Sequence, residues 1–154
     1  EGRAEEYIEI VEGLLRNAKT TQMKNLLRLN LTAGYCDLKE YDQAIAILDH
    51  LGREPLNKEM DLVRRLNLCA CYFYNGQTEE AVALYEENRD LFEETKQKGK
   101  HQINLILLDM FMKLEQGEYD EVEEILKETK KHWEGPRLEE DFRLIQARLK
   151  EYRA

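Results

Sequence analysis

Three histidines, three cysteines and many carboxylates are the residues with which this chain could do chemistry. His50, His101 and His132 stand far apart, without the HExxH spacing that sets two imidazoles and a base on one helix face. Cys69 and Cys71 lie two apart on a predicted helix, about 200° around it, so they face away from each other and cannot share a metal or a disulfide. With Cys36 they make an odd set without framework spacing, which points to a reducing compartment and to buried small-residue roles. No GxGxxG, phosphate loop, GxSxG or zinc ligand pair occurs. Carboxylate pairs at Glu79-Glu80, Glu86-Glu87 and Glu93-Glu94, joined by Asp90, recur every seven residues. They read as the solvated acidic side of one helix, since acid–base work needs a cleft. No catalytic role, metal or other cofactor is expected.

What remains is amide chemistry, and it repeats. The run Arg28-Leu29-Asn30-Leu31 returns thirty-seven residues later as Arg65-Leu66-Asn67-Leu68, and Ile103-Asn104-Leu105 echoes it at the same interval. Tyr35 and Tyr72 keep that spacing, as do Ala44 and Ala81. A fixed period of this length marks stacked helical hairpins, an architecture that usually binds other chains.

Composition agrees. The chain has 154 residues, 36% charged and 42% hydrophobic, with two prolines and eight glycines, so long stretches are free to be helical. A net charge of -9 disfavours a general affinity for nucleic acid or anionic lipid. No apolar run approaches the roughly 20 residues of a membrane span. Glu1 in place of an initiator Met suggests a trimmed or processed chain, with a cytoplasmic location or the cytoplasmic part of a larger protein expected.

Turn signals divide the sequence into eight predicted helices, near 4–18, 21–38, 41–51, 57–74, 78–96, 100–116, 119–133 and 136 onward. Asn57 suits an N-cap, Asn75-Gly76 and Gly117 suit turns, and Pro136 suits a first helical turn. The expected organisation is one domain: an N-terminal helix (1–20), hairpins at 21–55, 56–98 and 99–134, and a C-terminal helix (135–154). In the first helix Tyr7, Ile8, Val11, Leu14 and Leu15 form one apolar stripe. In the last, Leu138, Phe142, Ile145, Leu149 and Tyr152 form a narrow seam, read as a cap for the stack or, alternatively, as a homodimer seam.

Leu31, Tyr35, Tyr41, Asp42, Ala44, Ile45 and Leu48 resemble a tetratricopeptide repeat; Leu68, Tyr72, Gly76, Ala81, Val82 and Tyr85 repeat the pattern, and 116–122 resembles the turn of a third copy. The resemblance covers about residues 24–133. It implies an all-α, right-handed superhelix of antiparallel hairpins, an α-solenoid, in which small residues such as Ala44 and Ala81 let paired helices approach. The chain departs from the family in its thirty-seven-residue period, in Arg28 and Arg65 where a large aromatic is usual, and in a third copy four residues longer, which leaves the register of Asn104 ambiguous by one turn.

The resemblance further implies a concave groove lined by the first helix of each hairpin and used to bind a peptide or helix of a partner protein. Asn30, Asn67 and Asn104 would face it, each able to pair with both C=O and N–H of an extended peptide. Ala33 and Ala70 would leave room for the peptide backbone, Asp37 and Tyr74 would read side chains, and Arg65, with Arg28 and Arg64, would receive a carboxylate. The family's Lys-Asn-Arg carboxylate clamp is matched only at its asparagines, and Leu26, Leu29 and Leu66 favour an apolar ligand. The alternatives are a structural scaffold that fills its own groove or pairs with a second copy, and the sensing part of a larger regulator.

Overall fold

Helix-favouring composition leaves the turns to decide where the chain reverses. The turns at Lys39, Gly76 and Gly117 use one device, which recurs at Gly99, where Lys100 N–H donates to the Thr95 carbonyl at 3.3 Å. In the computed structural model, which describes residues 2–154, Lys39, Gly76 and Gly117 take left-handed φ values of 60°, 78° and 78°. The next amide then reaches back five positions: Glu40 N–H donates to the Tyr35 carbonyl at 2.9 Å, Gln77 to Tyr72 at 2.9 Å and Glu118 to Lys113 at 3.0 Å. This closure satisfies carbonyls that a helix end would otherwise orphan. Five residues beyond Lys39, Gly76 and Gly117 lie Ala44, Ala81 and Val122, all 0% exposed, where the returning helix meets the one before it.

The described residues form nine helices and no strand: α1 (Arg3–Asn17), α2 (Thr21–Asp37), α3 (Tyr41–Leu51), α4 (Lys58–Tyr74), α5 (Thr78–Glu87), α6 (Arg89–Gln97), α7 (Gln102–Glu115), α8 (Tyr119–His132) and α9 (Pro136–Arg153). The all-α expectation holds, with nine helices in place of eight. The segment expected as one helix over 78–96 divides at Asn88, whose ψ of 15° departs from helical values. An Asn amide competes with the helical backbone for hydrogen bonds, and the Asn88 carbonyl starts the next helix by accepting from Phe92 at 2.9 Å. The three carboxylate pairs therefore do not share one helix.

Contacts group the chain into two units that meet in sequence between Glu87 and Asn88. In the first, α1 to α5 each pack on the next, and α2 also touches α4. Ile8 and Val11 of α1 bury against Leu27 and Leu31; Leu29 meets Ala44, Leu48, Leu51, Leu68 and Cys71. Each such leucine contributes about 1.5–3 kcal/mol on burial. The Thr20 hydroxyl accepts from Met23 N–H at 3.1 Å and the Asn57 side chain from Met60 N–H at 2.8 Å, capping α2 and α4. Asn75 Nδ2 donates to Asp42 at 2.9 Å and Arg64 donates to the Leu48 carbonyl at 3.2 Å, which sets α3 antiparallel to α4.

In the second unit α7 buries Leu105, Leu107, Leu108, Met110, Phe111, Met112 and Leu114, apolar on nearly every side, with α6, α8 and α9 against it. The apolar seam of α9 is used within the chain: Phe142, Ile145 and Leu149 are buried where α9 meets α7 and α8. Tyr152 donates to Glu115 at 2.6 Å and Arg148 lies 5.2 Å from the Phe111 ring, so α9 runs parallel to α7. Arg153 bonds Asp120 at 2.7 Å while Lys130 sits over Phe142, so it runs antiparallel to α8.

Each unit contains a joint of the same kind. Tyr41 stacks on Tyr74 at 5.7 Å beside the Asp42–Asn75 bond. Seventy-eight positions later Tyr119 meets Tyr152 edge-on at 6.3 Å beside the Asp120–Arg153 pair. In each unit, therefore, the start of a hairpin's second helix is tied to the end of the following helix by a tyrosine pair and a polar bond.

Two measurements test this account. Lys39 holds a left-handed conformation that disfavours a Cβ, so Lys39→Gly should raise stability by about 0.5–1 kcal/mol in chemical denaturation, less than the full strain because Gly also loosens the unfolded chain. Burial, and then the Glu115 bond, pushes the Tyr152 phenol up to about 12 from its ordinary 10.0. The folded state holds that proton more tightly, so this stabilisation is complete below pH 10 and lost as pH rises towards 12. The stability difference between wild type and Tyr152→Phe should shrink across that interval; a constant difference would refute the assignment.

Candidate functional site

Seven of the eight residues expected to bind a peptide lie in the first unit, on α2 and α4. Along α2 an exposed row consists of Leu26, Asn30, Ala33 and Asp37, spaced four, three and four. The matching row on α4 is Val63, Asn67, Ala70 and Tyr74, all half-buried. The helices meet where Leu29 and Leu68 pack and where the Cys36 and Cys71 sulfurs approach to 3.3 Å. Both rows turn the same way from that contact, because the two helices repeat the same sequence in the same register.

The asparagines divide by what their side chains do. Asn17 bonds the Gly13 carbonyl, Asn25 accepts from Arg28, Asn57 caps α4 and Asn75 bonds Asp42. The side chains of Asn30, Asn67 and Asn104 make no hydrogen bond among the described residues. An amide carries one acceptor and two donors, which these three side chains leave unused within the fold. Asn30 is exposed rather than packed between helices.

The remaining expected residues behave differently. Tyr74 is stacked on Tyr41 and so helps join α3 to α4. Arg65 lies about 200° around α4 from Asn67 and pairs with Asp61 at 2.9 Å. Arg64 also pairs with Asp61, at 3.3 Å, and Arg28 with Glu54 at 3.8 Å. These arginines are engaged within the fold. Asn104 belongs to the second unit, exposed in the first turn of α7, thirteen residues before Gly117. Asn30 and Asn67 each stand nine residues before their turn residue, a place that Leu108 occupies in α7 at 1% exposure. The third copy is thus one helical turn longer on the N-terminal side of its turn, and Asn104 stands one turn early.

Sequence reading missed a second apolar surface. The exposed large hydrophobic residues among those described are Tyr7 (40%), Ile10 (63%), Leu14 (54%), Met23 (47%) and Leu26 (44%), all on α1 and α2. The stripe expected on α1 divides: Ile8 and Val11 are buried, while Tyr7 and Leu14 join Ile10 on an outer face. Their spacing of three and four, read apart from Ile8 and Val11, was the available signal. Gly34 sets how closely this face approaches α2, since a Cβ there would stand 2.7 Å from Ile8 Cγ1 and 3.2 Å from Tyr7 Cδ2. Counted from that contact along the antiparallel pair, Leu14 falls level with Arg28, within one turn of Leu26. An apolar shelf therefore borders the Asn30 row.

His50 faces Glu54 at 3.7 Å in the first unit, and His132 faces Glu128 at 3.2 Å in the second. No group of three or more His, Cys, Asp or Glu among the described residues is placed to hold a metal ion, and none of their helices is long and apolar enough to cross a membrane. An open concavity of about 730 Å³ lined by α8 and α9, including Asp120, Glu124, Lys127 and Gln146, contains none of the expected site residues. Comparison with protein-family models, curated proteins and solved structures returns no match.

The closeness at Gly34 is testable. Gly34→Ala should lower stability by about 1–3 kcal/mol in thermal or urea unfolding, because the added methyl must displace the Ile8 side chain or the whole of α1.

Proposed function

We propose that the chain is a tetratricopeptide-like interaction module and that its first unit captures an amphipathic helix of a partner protein along α2 and α4. The observation that carries this reading is the pairing of two unlike surfaces: amides of Asn30 and Asn67 without internal partners, and the apolar shelf of Tyr7, Ile10, Leu14, Met23 and Leu26 beside them. The shelf suits the apolar side of a helix laid into a groove. The asparagines suit polar groups at that helix's edge or frayed end, and Ala33 and Ala70 keep the floor between them low. Support for the repeat architecture comes from the like turns at Lys39, Gly76 and Gly117, the small or β-branched residue buried five places after each of these, and the tyrosine joint that recurs in both units. The family's carboxylate clamp forms no part of the proposal, because Arg28, Arg64 and Arg65 are engaged elsewhere.

The test is selection of amphipathic helical peptides by display against the immobilised chain, followed by calorimetric titration of the winners. Two amide contacts at about 0.5–1.5 kcal/mol each predict a roughly 5–150-fold loss of affinity in the Asn30→Ala, Asn67→Ala double variant. Leu26→Asp should lower affinity at least as far, with helicity retained. If every selected peptide binds both variants as it binds wild type, the groove reading fails. It fails equally if the chain sediments as a dimer that Ile10→Asp dissociates, because a second copy then covers the shelf.

A further inference from the structure

The three cysteines occupy different environments. Cys69 is 0% exposed, its thiol donates to the Ala81 carbonyl at 3.5 Å, and burial pushes its titration up to about 12. Cys36 and Cys71 instead bring their sulfurs to 3.3 Å across the contact of α2 and α4, thirty-five residues apart in the chain. Cys71 is 2% exposed, whereas Cys36 is half-buried at the C-terminal end of α2.

We propose that Cys36 and Cys71 are an oxidation site, at which a peroxide oxidises Cys36 and Cys71 then closes an intramolecular disulfide pinning α2 to α4. The Cys36 sulfur attacks one oxygen of hydrogen peroxide; the O–O bond breaks, leaving a sulfenic acid and one water. The Cys71 sulfur next attacks the sulfenic sulfur. An S–S bond forms, the S–O bond breaks, and the departing hydroxide takes up the Cys71 proton as a second water. Two thiols have lost two electrons and two protons, and the peroxide has been reduced to two waters. The sulfurs need to close by only about 1.2 Å to reach the roughly 2.05 Å of a disulfide. Access assigns the first step to Cys36. The Cys36 contact, and then burial, raise the Cys71 thiol and keep it protonated, which suits a resolving rather than an attacking role. Cys69 is excluded by direction, since it points towards Ala81. The inference rests on thiol geometry and not on the groove reading, although the helices it would pin carry Asn30 and Asn67.

The experiment treats the reduced full chain with hydrogen peroxide, alkylates remaining thiols and maps peptides by mass spectrometry without reduction. The expected result is a crosslinked Cys36–Cys71 peptide, loss of two hydrogens from the intact mass, and a rise in melting temperature of roughly 5–10 °C that dithiothreitol reverses. Cys69→Ser should retain the crosslink. Cys36→Ser, at a half-buried position and checked for helicity by circular dichroism, should lose both the crosslink and the melting shift. Overoxidation of Cys36 without a crosslink, a bridge between copies, or a bridge to Cys69 would each overturn the proposal. Because the wild-type peptide map decides the matter, the result stands even if Cys36→Ser fails to fold.

Discussion

The close approach of paired helices after the left-handed turns at Lys39, Gly76 and Gly117 is the constraint on which the other features rest. Lys39, Gly76 and Gly117 reverse the chain within one closure of hydrogen bonds, and five residues later Ala44, Ala81 or Val122 is completely buried. The turn fixes the register of the returning helix, and the buried side chain fixes its distance. A left-handed residue is required because the reversal must satisfy the last helical carbonyls while redirecting the chain. Glycine takes that conformation without a Cβ penalty; at residue 39 a lysine takes it and bears the strain.

Once the hairpins are set, the outward faces of their helices follow. In α2 the apolar positions divide between α1 on one side and α3 and α4 on the other, which leaves Leu26, Asn30, Ala33 and Asp37 as the uncovered strip. The same geometry closes α4 more tightly, so its equivalent strip is half-buried. The Asn30 and Asn67 amides are therefore a consequence of the repeat: identical positions on two helices that present the same angle. Arg65 sits inside the repeated run yet turns to Asp61, because two residues of helix carry it to another face.

Much of this was legible in the sequence. The hairpin turns at Asn75-Gly76 and Gly117, the Asn57 cap, the start of the last helix at Pro136 and the packing alanines all carry local signals that need no distant partner. Other signals were too weak to decide. Asn88 is a poor helix former, but one such residue inside a run otherwise compatible with helix does not predict a break, which the dihedrals of the folded chain reveal. Asn104 keeps the thirty-seven-residue interval, but the extra turn lies between it and Gly117, so counting from the turn places Leu108 at the equivalent position. The tyrosine joint was hidden for a related reason: its interval of seventy-eight residues joins two unequal repeats and fits no single period.

Sequence alone determined the helical class, the places of reversal and the residues that repeat, because propensity, glycine conformation and apolar spacing act over a few neighbouring residues. Only the tertiary structure decided which repeated residues are left without partners, which arginines are engaged within the fold, and that Tyr7, Ile10 and Leu14 face outward while Ile8 and Val11 do not. It also decided that Cys71 meets Cys36 rather than its near neighbour Cys69. Each of these depends on where a second helix lies. That position is set by packing summed over several helices, a quantity no local window of residues contains.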